Sequence, residues 1–243
     1  MDNDKHITAP NVTQFLDRFQ LVSNWVMTSI NKLDKPKRPV MLSKFIQIAK
    51  FCKDLRNFNA VMQIMAAIED TLMLRFDGTW EGISQKYVPI LLDLRKLVSK
   101  AGHFANLKQE LYKSTSPGVP YLQAYLMEIQ SLELEEDNFL DSSSTSPSQI
   151  HFLKFKKVAR VISEIQRYQK ASYVLRPQPA VQYYLRTVKA LSRSEISALA
   201  ALTHHREQVL GLESLHKMPD FGKPAPSPSH SHLVTLLNRC SYR

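Results

Sequence analysis

The residues that could carry chemistry in this chain are few and poorly assembled. Eight histidines and two cysteines are its soft metal ligands. His204 and His205 are adjacent, so on a helix they point to different sides. His230 and His232 sit in a Pro/Ser-rich tail where nothing fixes their separation. Cys52 and Cys240 show neither zinc spacing nor a disulfide framework. No metal and no other cofactor is expected. The acidic run Glu133, Glu135, Glu136 and Asp137 offers the residue type for acid–base work, but without pocket or spacing logic it reads as an exposed helix end. A phosphate-cradling glycine loop, a dinucleotide fingerprint, a nucleophile elbow and His-Glu-x-x-His are all missing. Bond-making catalysis is not expected.

Charge narrows the field next. The 243 residues carry a formal net charge of +10, which raises nucleic acid and anionic membranes as partners. The positive residues are dispersed (Lys35, Lys37, Arg38; Lys154, Lys156, Lys157) and no zinc-finger or Gly-aromatic signature accompanies them. They read as solvated helix faces, and nucleic-acid binding is not expected. A basic surface still adds modest attraction to anionic lipids, so peripheral contact with such a membrane stays in view. The opening residues Met1 to His6 lack the apolar core of a signal peptide. Nowhere do 18 apolar residues run together. With two unpatterned cysteines, a reducing cytoplasm is the plain reading.

The elements that must position any site are helices. Six glycines and scant period-two alternation disfavour sheet. From Asn11, apolar Val12, Phe15, Phe19, Val22 and Val26 recur at threes and fours, until Lys35 to Pro39 breaks the pattern. A second stripe starts near Val40 and runs through Leu42, Phe45, Ile46, Ala49, Cys52 and Leu55. Asn57 is a candidate N-cap for Ala60 to Ile68, which is apolar nearly all round and so belongs inside a bundle. Asp77-Gly78-Thr79 reads as a turn. Pro89 fits the first turn of a helix through Leu91, Leu94 and Leu97, and a short helix covers Leu107 to Lys113. After the stop at Ser116 to Pro120, helices are predicted over Tyr121–Leu134 and His151–Lys170, separated by a Ser-rich loop at 141–149. Further helices follow Pro179 and cover 194–210. The expected organisation is a loose segment at 1–10, an all-α multi-helix domain over 11–190, and a divergent helix with a disordered tail over 191–243.

Six of these segments, in order, resemble the catalytic domain of Ras guanine-nucleotide exchange factors. Asn11-Val12-Thr13-Gln14-Phe15 with Trp25-Val26 is similar to that family's opening helix. Arg38-Pro39-Val40-Met41-Leu42-Ser43-Lys44-Phe45-Ile46-Gln47-Ile48-Ala49 resembles its R-x-x-V-(I/L)-x-K-F-I-x-I-A. Leu55 to Met62 resembles L-x-N-F-N-(A/G)-(V/L)-(M/L), and Thr79-Trp80-Glu81 looks like T-W-E. Val119-Pro120-Tyr121-Leu122-Gln123-Ala124-Tyr125-Leu126 is similar to (V/I)-P-(Y/F)-(L/F)-G-x-Y-L. Ile150 to Gln169 resembles I-N-F-x-K-R-R-K-(I/V)-A-x-I-(I/L)-x-E-I-Q-x-Y-Q. The match covers about residues 11–187.

The resemblance implies an all-α bundle with a protruding helical hairpin that prises GDP from a Ras-family small GTPase of Ras, Rap or Ral type. It makes no bonds and needs no cofactor. Its arms here are Tyr121–Leu134 and His151–Lys170. Leu16, Met62 and Tyr121 match positions that hold an aromatic ring of the GTPase's switch II; filling the bundle core is the alternative for all three. Gln130 and Leu134 fall at the tip positions, where some members have an apolar residue and a glutamate; a shift of one residue would offer Glu133 or Glu135. Met127 and Glu128 stand where Thr and Asn/Asp are usual, Glu69 where a switch-facing Asn is usual, and Gln123 replaces a common glycine. The family's usual first helix, with Q-L-T-x-x-E, and its N-terminal exchanger motif are not found, so a shortened domain is expected. A GTPase-binding protein that has lost the wedge is the second reading.

Overall fold

The computed structural model describes residues 8–74, 77–113, 117–140 and 149–216. Among them the regular structure is helical: α1 (Pro10–Asn31), α2 (Arg38–Asp54), α3 (Phe58–Ile68), α4 (Thr71–Leu74), α5 (Asp77–Glu81), α6 (Val88–Leu97), α7 (Ala101–Tyr112), α8 (Leu122–Glu135), α9 (Phe152–Gln169), α10 (Pro179–Thr187) and α11 (Arg193–His216). The expected loop at 141–149, all but its last residue, and the tail beyond Pro219 lie outside the described residues. So do residues 1–7 of the expected loose N-terminus.

The core is built around α3, which lies between α1 and α2. Its sequence demands that place: Phe58, Val61, Met62, Ile64, Met65, Ala67 and Ile68 are all buried, and only Ala66 of the helix is exposed to water. Asn57 caps it, the side-chain Oδ1 accepting from Ala60 N at 3.0 Å. The helix stops at Glu69, and Asp70 Oδ1 then accepts from Leu72 N at 2.9 Å to open α4. Around this rod pack Val26, Met27 and Ile30 of α1, Leu42, Phe45, Ile46 and Ala49 of α2, and Leu91, Leu94 and Leu97 of α6.

Three expectations need correcting, and a fourth is bounded more closely. The second helix starts at Arg38, not near Val40, because Pro39 suits its first turn. Asp77-Gly78-Thr79 forms the first turn of α5 instead of a loop. Thr79 is buried, and the Trp80 indole donates to Met73 O at 3.1 Å, so docking winds the segment into a helix. The helix predicted from Leu107 is preceded by a left-handed turn at Gly102, His103 and Phe104 (φ 57°, 52° and 62°), so the right-handed part of α7 lies after Phe104 and runs to Tyr112. The last helix, predicted over 194–210, runs from Arg193 to His216 and is tied to the core. Arg193 pairs with Asp70 through two bonds of 2.6 and 3.0 Å, and buried Arg38 pairs with Glu207 at 2.7 Å. Ile196 and Ala200 join the apolar core.

Candidate functional site

The site is assembled where two antiparallel helices leave the bundle. Pro117-Gly118-Val119-Pro120 forbids helix, and the chain uses the interruption to stitch itself to the start of α3. Val119 N donates to Arg56 O at 3.0 Å and Asn59 N donates to Val119 O at 3.2 Å. Gly118 allows the close approach, since a Cβ there would sit a tight 3.3 Å from Arg56 O. Arg56 itself takes a left-handed φ of 58° to turn from α2 into the Asn57 cap. From this root α8 and α9 run side by side. On either side of the intervening loop Leu140 N donates to Gln149 O (2.7 Å) and His151 N to Asn138 O (2.9 Å).

Near the root the seam between the arms is apolar, with Ala124, Tyr125 and Val161 buried. Burial holds the Tyr125 hydroxyl well above the usual tyrosine range, helped by Tyr168 and Glu164. Farther out the seam is ionic. Lys154, which reads in the sequence as part of a solvated face, is 1% exposed. Its Nζ donates to Glu133 Oε2 at 3.0 Å and to Asn138 Oδ1 at 2.7 Å. Lys157 pairs with Glu136, whose carboxyl falls below the ordinary range because of that hydrogen bond. The expected free acidic helix end is therefore partly engaged. Phe152, Leu153 and Phe155 point outward instead.

Beside the root, a cavity of about 270 Å³ opens between α1 and the start of α8, lined by Leu16, Phe19, Asn59, Tyr121 and Gln123 among others. Tyr121 is half-buried, its ring 5.6 Å from Phe19 and 5.3 Å, edge-on, from Phe104. Burial raises its hydroxyl above the usual range. A second apolar groove of about 360 Å³ lies between Val12 and Phe15 of α1 and Pro120, Leu122 and Ile165 of the hairpin.

The structure brings Leu16 and Tyr121 together in the first cavity. Met62 is not part of that lining; at 6% exposure it packs in the core one helical turn beyond Asn59. Met127, Gln130 and Leu134 stand exposed along α8, with Leu134 80% exposed. Glu128 is partly buried and paired with Lys108, and with Arg160 at 3.7 Å. Glu69 lies at the far end of α3, about 10 Å along the axis from Met62, and meets Arg95 Nε at 3.0 Å. Burial raises its carboxyl, with Arg95 opposing. Both carboxylates are thus neutralised within the chain.

Sequence reasoning missed Phe19 and Asn59 as cavity walls and Lys154 as a seam residue. A signal for Lys154 existed: it extends the Val158, Val161, Ile165, Tyr168 stripe by one turn, and so shares the inward face. Among the described residues no group of three His, Cys, Asp or Glu could hold a metal ion. None of their helices is long and apolar enough to cross a membrane.

A family model described as the RasGEF domain matches residues 1–156. The chain is 34% identical over 190 residues to Ras guanine nucleotide exchange factor Y of Dictyostelium discoideum, a match covering 78% of this chain and 12% of that protein. To Ras-specific guanine nucleotide-releasing factor 1 of Mus musculus it is 31% identical over 186 residues, covering 76% and 14% respectively. To Ras guanine nucleotide exchange factor A of Dictyostelium discoideum it is 33% identical over 213 residues, covering 87% and 34%. The chain therefore spans no more than 34% of the length of any of these three relatives. An all-α bundle with a two-helix projection beside an aromatic-walled cavity, matched by this family model over more than half its residues, belongs to the RasGEF domain family.

Proposed function

We propose that the chain binds a Ras-family small GTPase and promotes release of its GDP. The observation that carries this is the hairpin of α8 and α9 standing beside the cavity walled by Leu16 and Tyr121. A GTPase holds its nucleotide through backbone amides, Mg²⁺ and mobile switches. An exchange factor acts by binding the open, nucleotide-free state better than the loaded one. Turning a 1:99 preference into 99:1 takes about 5.5 kcal/mol of differential binding, which calls for a broad interface and steric exclusion. The cavity, with Phe15, Leu16, Phe19 and Tyr121 as its apolar walls and Gln20, Asn59 and Gln123 as amides beside them, supplies a seat for a switch-II aromatic ring. Met127, Gln130 and Leu134 supply the exposed edge of the hairpin, and Met62 packs in the core one turn beyond the cavity's Asn59. Exchange needs no bond-making residue and no cofactor of its own.

The test is release of fluorescent GDP from a panel of Ras, Rap and Ral proteins. Acceleration by micromolar protein is expected; its absence across the panel overturns the proposal.

Binding without release is a second reading, favoured by Leu134. An apolar, 80% exposed residue occupies the tip, while Glu133 is engaged by Lys154. On that reading the protein captures nucleotide-free GTPase yet leaves GDP release slow. A net charge of +10 further favours action at the inner face of an anionic membrane. Salt-sensitive sedimentation with phosphatidylserine vesicles, and none with neutral ones, is the expected result.

A further inference from the structure

The outer half of the hairpin is built inside out. On α9 the apolar Phe152, Leu153 and Phe155 face solvent, while the one cation among them, Lys154, faces the other arm and is 1% exposed. Removing an ammonium from water is costly unless charge and donors are matched. Here they are matched from the first arm and its exit: Glu133 Oε2 at 3.0 Å and Asn138 Oδ1 at 2.7 Å. Apolar burial between the arms is confined to Ala124, Tyr125 and Val161, close to the root. Beyond that point the apolar residues of the two arms are at most partly buried, Ile129 and Leu132 on α8 and Val158 on α9 among them, so apolar contact alone is a weak constraint on their spacing there. A methionine at 154 would fill the same space without fixing a register, whereas an ammonium with two acceptors has one satisfactory arrangement.

We propose that Lys154 is a positioning residue that clasps the distal half of α8 against α9, and so fixes where Gln130 and Leu134 stand. The clasp itself is a property of the free chain. Its consequence for GDP release rests on the exchange-factor reading above.

The test uses the full chain with Lys154→Met, Glu133→Gln and the double substitution. Deuterium uptake is followed over residues 129–135 and, as a reference, over α3. Hydrogen bonds to charged groups are strong enough that Lys154→Met should speed uptake over 129–135 by about tenfold, leaving α3 unchanged. Glu133→Gln should do so less, since its side chain is half-exposed, and the double variant should be no worse than Lys154→Met alone. In the release assay kcat should fall while KM changes little, because the cavity at the root is untouched. Unchanged uptake over 129–135 in Lys154→Met overturns the proposal, as does strict additivity in the double variant. Should Lys154→Met fail to fold, Glu133→Gln decides alone: faster uptake over 129–135 supports the clasp and unchanged uptake refutes it. If the wild-type chain releases no GDP, the proposed function fails while the uptake comparison still judges the clasp.

Discussion

Replacing Tyr121 by alanine separates a role in packing from a role in recognition. The ring sits between Phe19 and Phe104 at centroid distances of 5.6 and 5.3 Å. Each aromatic pair is worth about 0.5–1.5 kcal/mol beyond its area, and half-burial of the ring adds about 1 kcal/mol. Tyr121→Ala should therefore cost about 2–4 kcal/mol of stability and lower Tm by about 5–15 °C. A control of similar cost is Leu94→Ala, fully buried on α6 and not among the residues that line the cavity. Well below either Tm both variants remain folded, so any difference in function reflects the surface. If the cavity seats a switch-II ring, loss of Tyr121 removes a hot spot of about 2 kcal/mol or more, roughly a 30-fold loss of affinity. Stopped-flow release of fluorescent GDP reads this directly: Tyr121→Ala should be strongly impaired and Leu94→Ala near wild type. Wild-type release by Tyr121→Ala, at matched stability loss, would refute the assignment of this cavity to the GTPase.

Other outcomes follow from the packing. Arg38→Met should cost about 3 kcal/mol, because the buried guanidinium is the partner of Glu207; differential scanning should show Tm lowered by about 10 °C. Tyr112 and Tyr125 hold their protons above the ordinary value of 10, Tyr112 to about 12, burial being the first cause in each. Above pH 10 the unfolded chain releases protons that the folded chain retains, so their stabilisation is complete below 10 and is lost as pH rises through the folded values. Urea unfolding at rising alkaline pH should show this decline, and Tyr125→Phe should make it shallower. Burial also raises the Cys52 thiol, so alkylation of Cys52 by iodoacetamide at neutral pH should be slower than that of a small-molecule thiol and accelerate on unfolding.

Much of the helical order was legible because its causes are local. Asn57 declared its cap, the unbroken apolar run after it declared a central rod, and Pro117 with Pro120 marked the root of α8. What escaped was set by contacts distant in sequence. Asp77-Gly78-Thr79 has turn composition, yet burial of Thr79 and the Trp80 indole bond override it. Lys154 looked solvated because a charge in a basic run usually is; its acceptors lie 16 and 21 residues away. The last helix gave no hint of its anchorage, since Arg193 meets Asp70 from 123 residues away. Of the residues expected to meet a partner, Leu16 and Tyr121 converge on one cavity. Met62 packs in the core instead, because the nearly all-round apolar composition of α3 buries it within the bundle.

The paired amide links joining Val119 to residues 56 and 59 have a mechanical meaning. Load applied at the free end of α8, about 20 Å from its first residue, enters the rest of the molecule at that join. There it passes straight into the opening turn of the innermost rod. A beam mounted in this way is braced at its foot, because tilting it strains the two bonds that hold it to the opening of that rod. Thrust delivered to a bound protein would be backed by the whole apolar mass, and slack at residues 118–119 would waste it as idle swing.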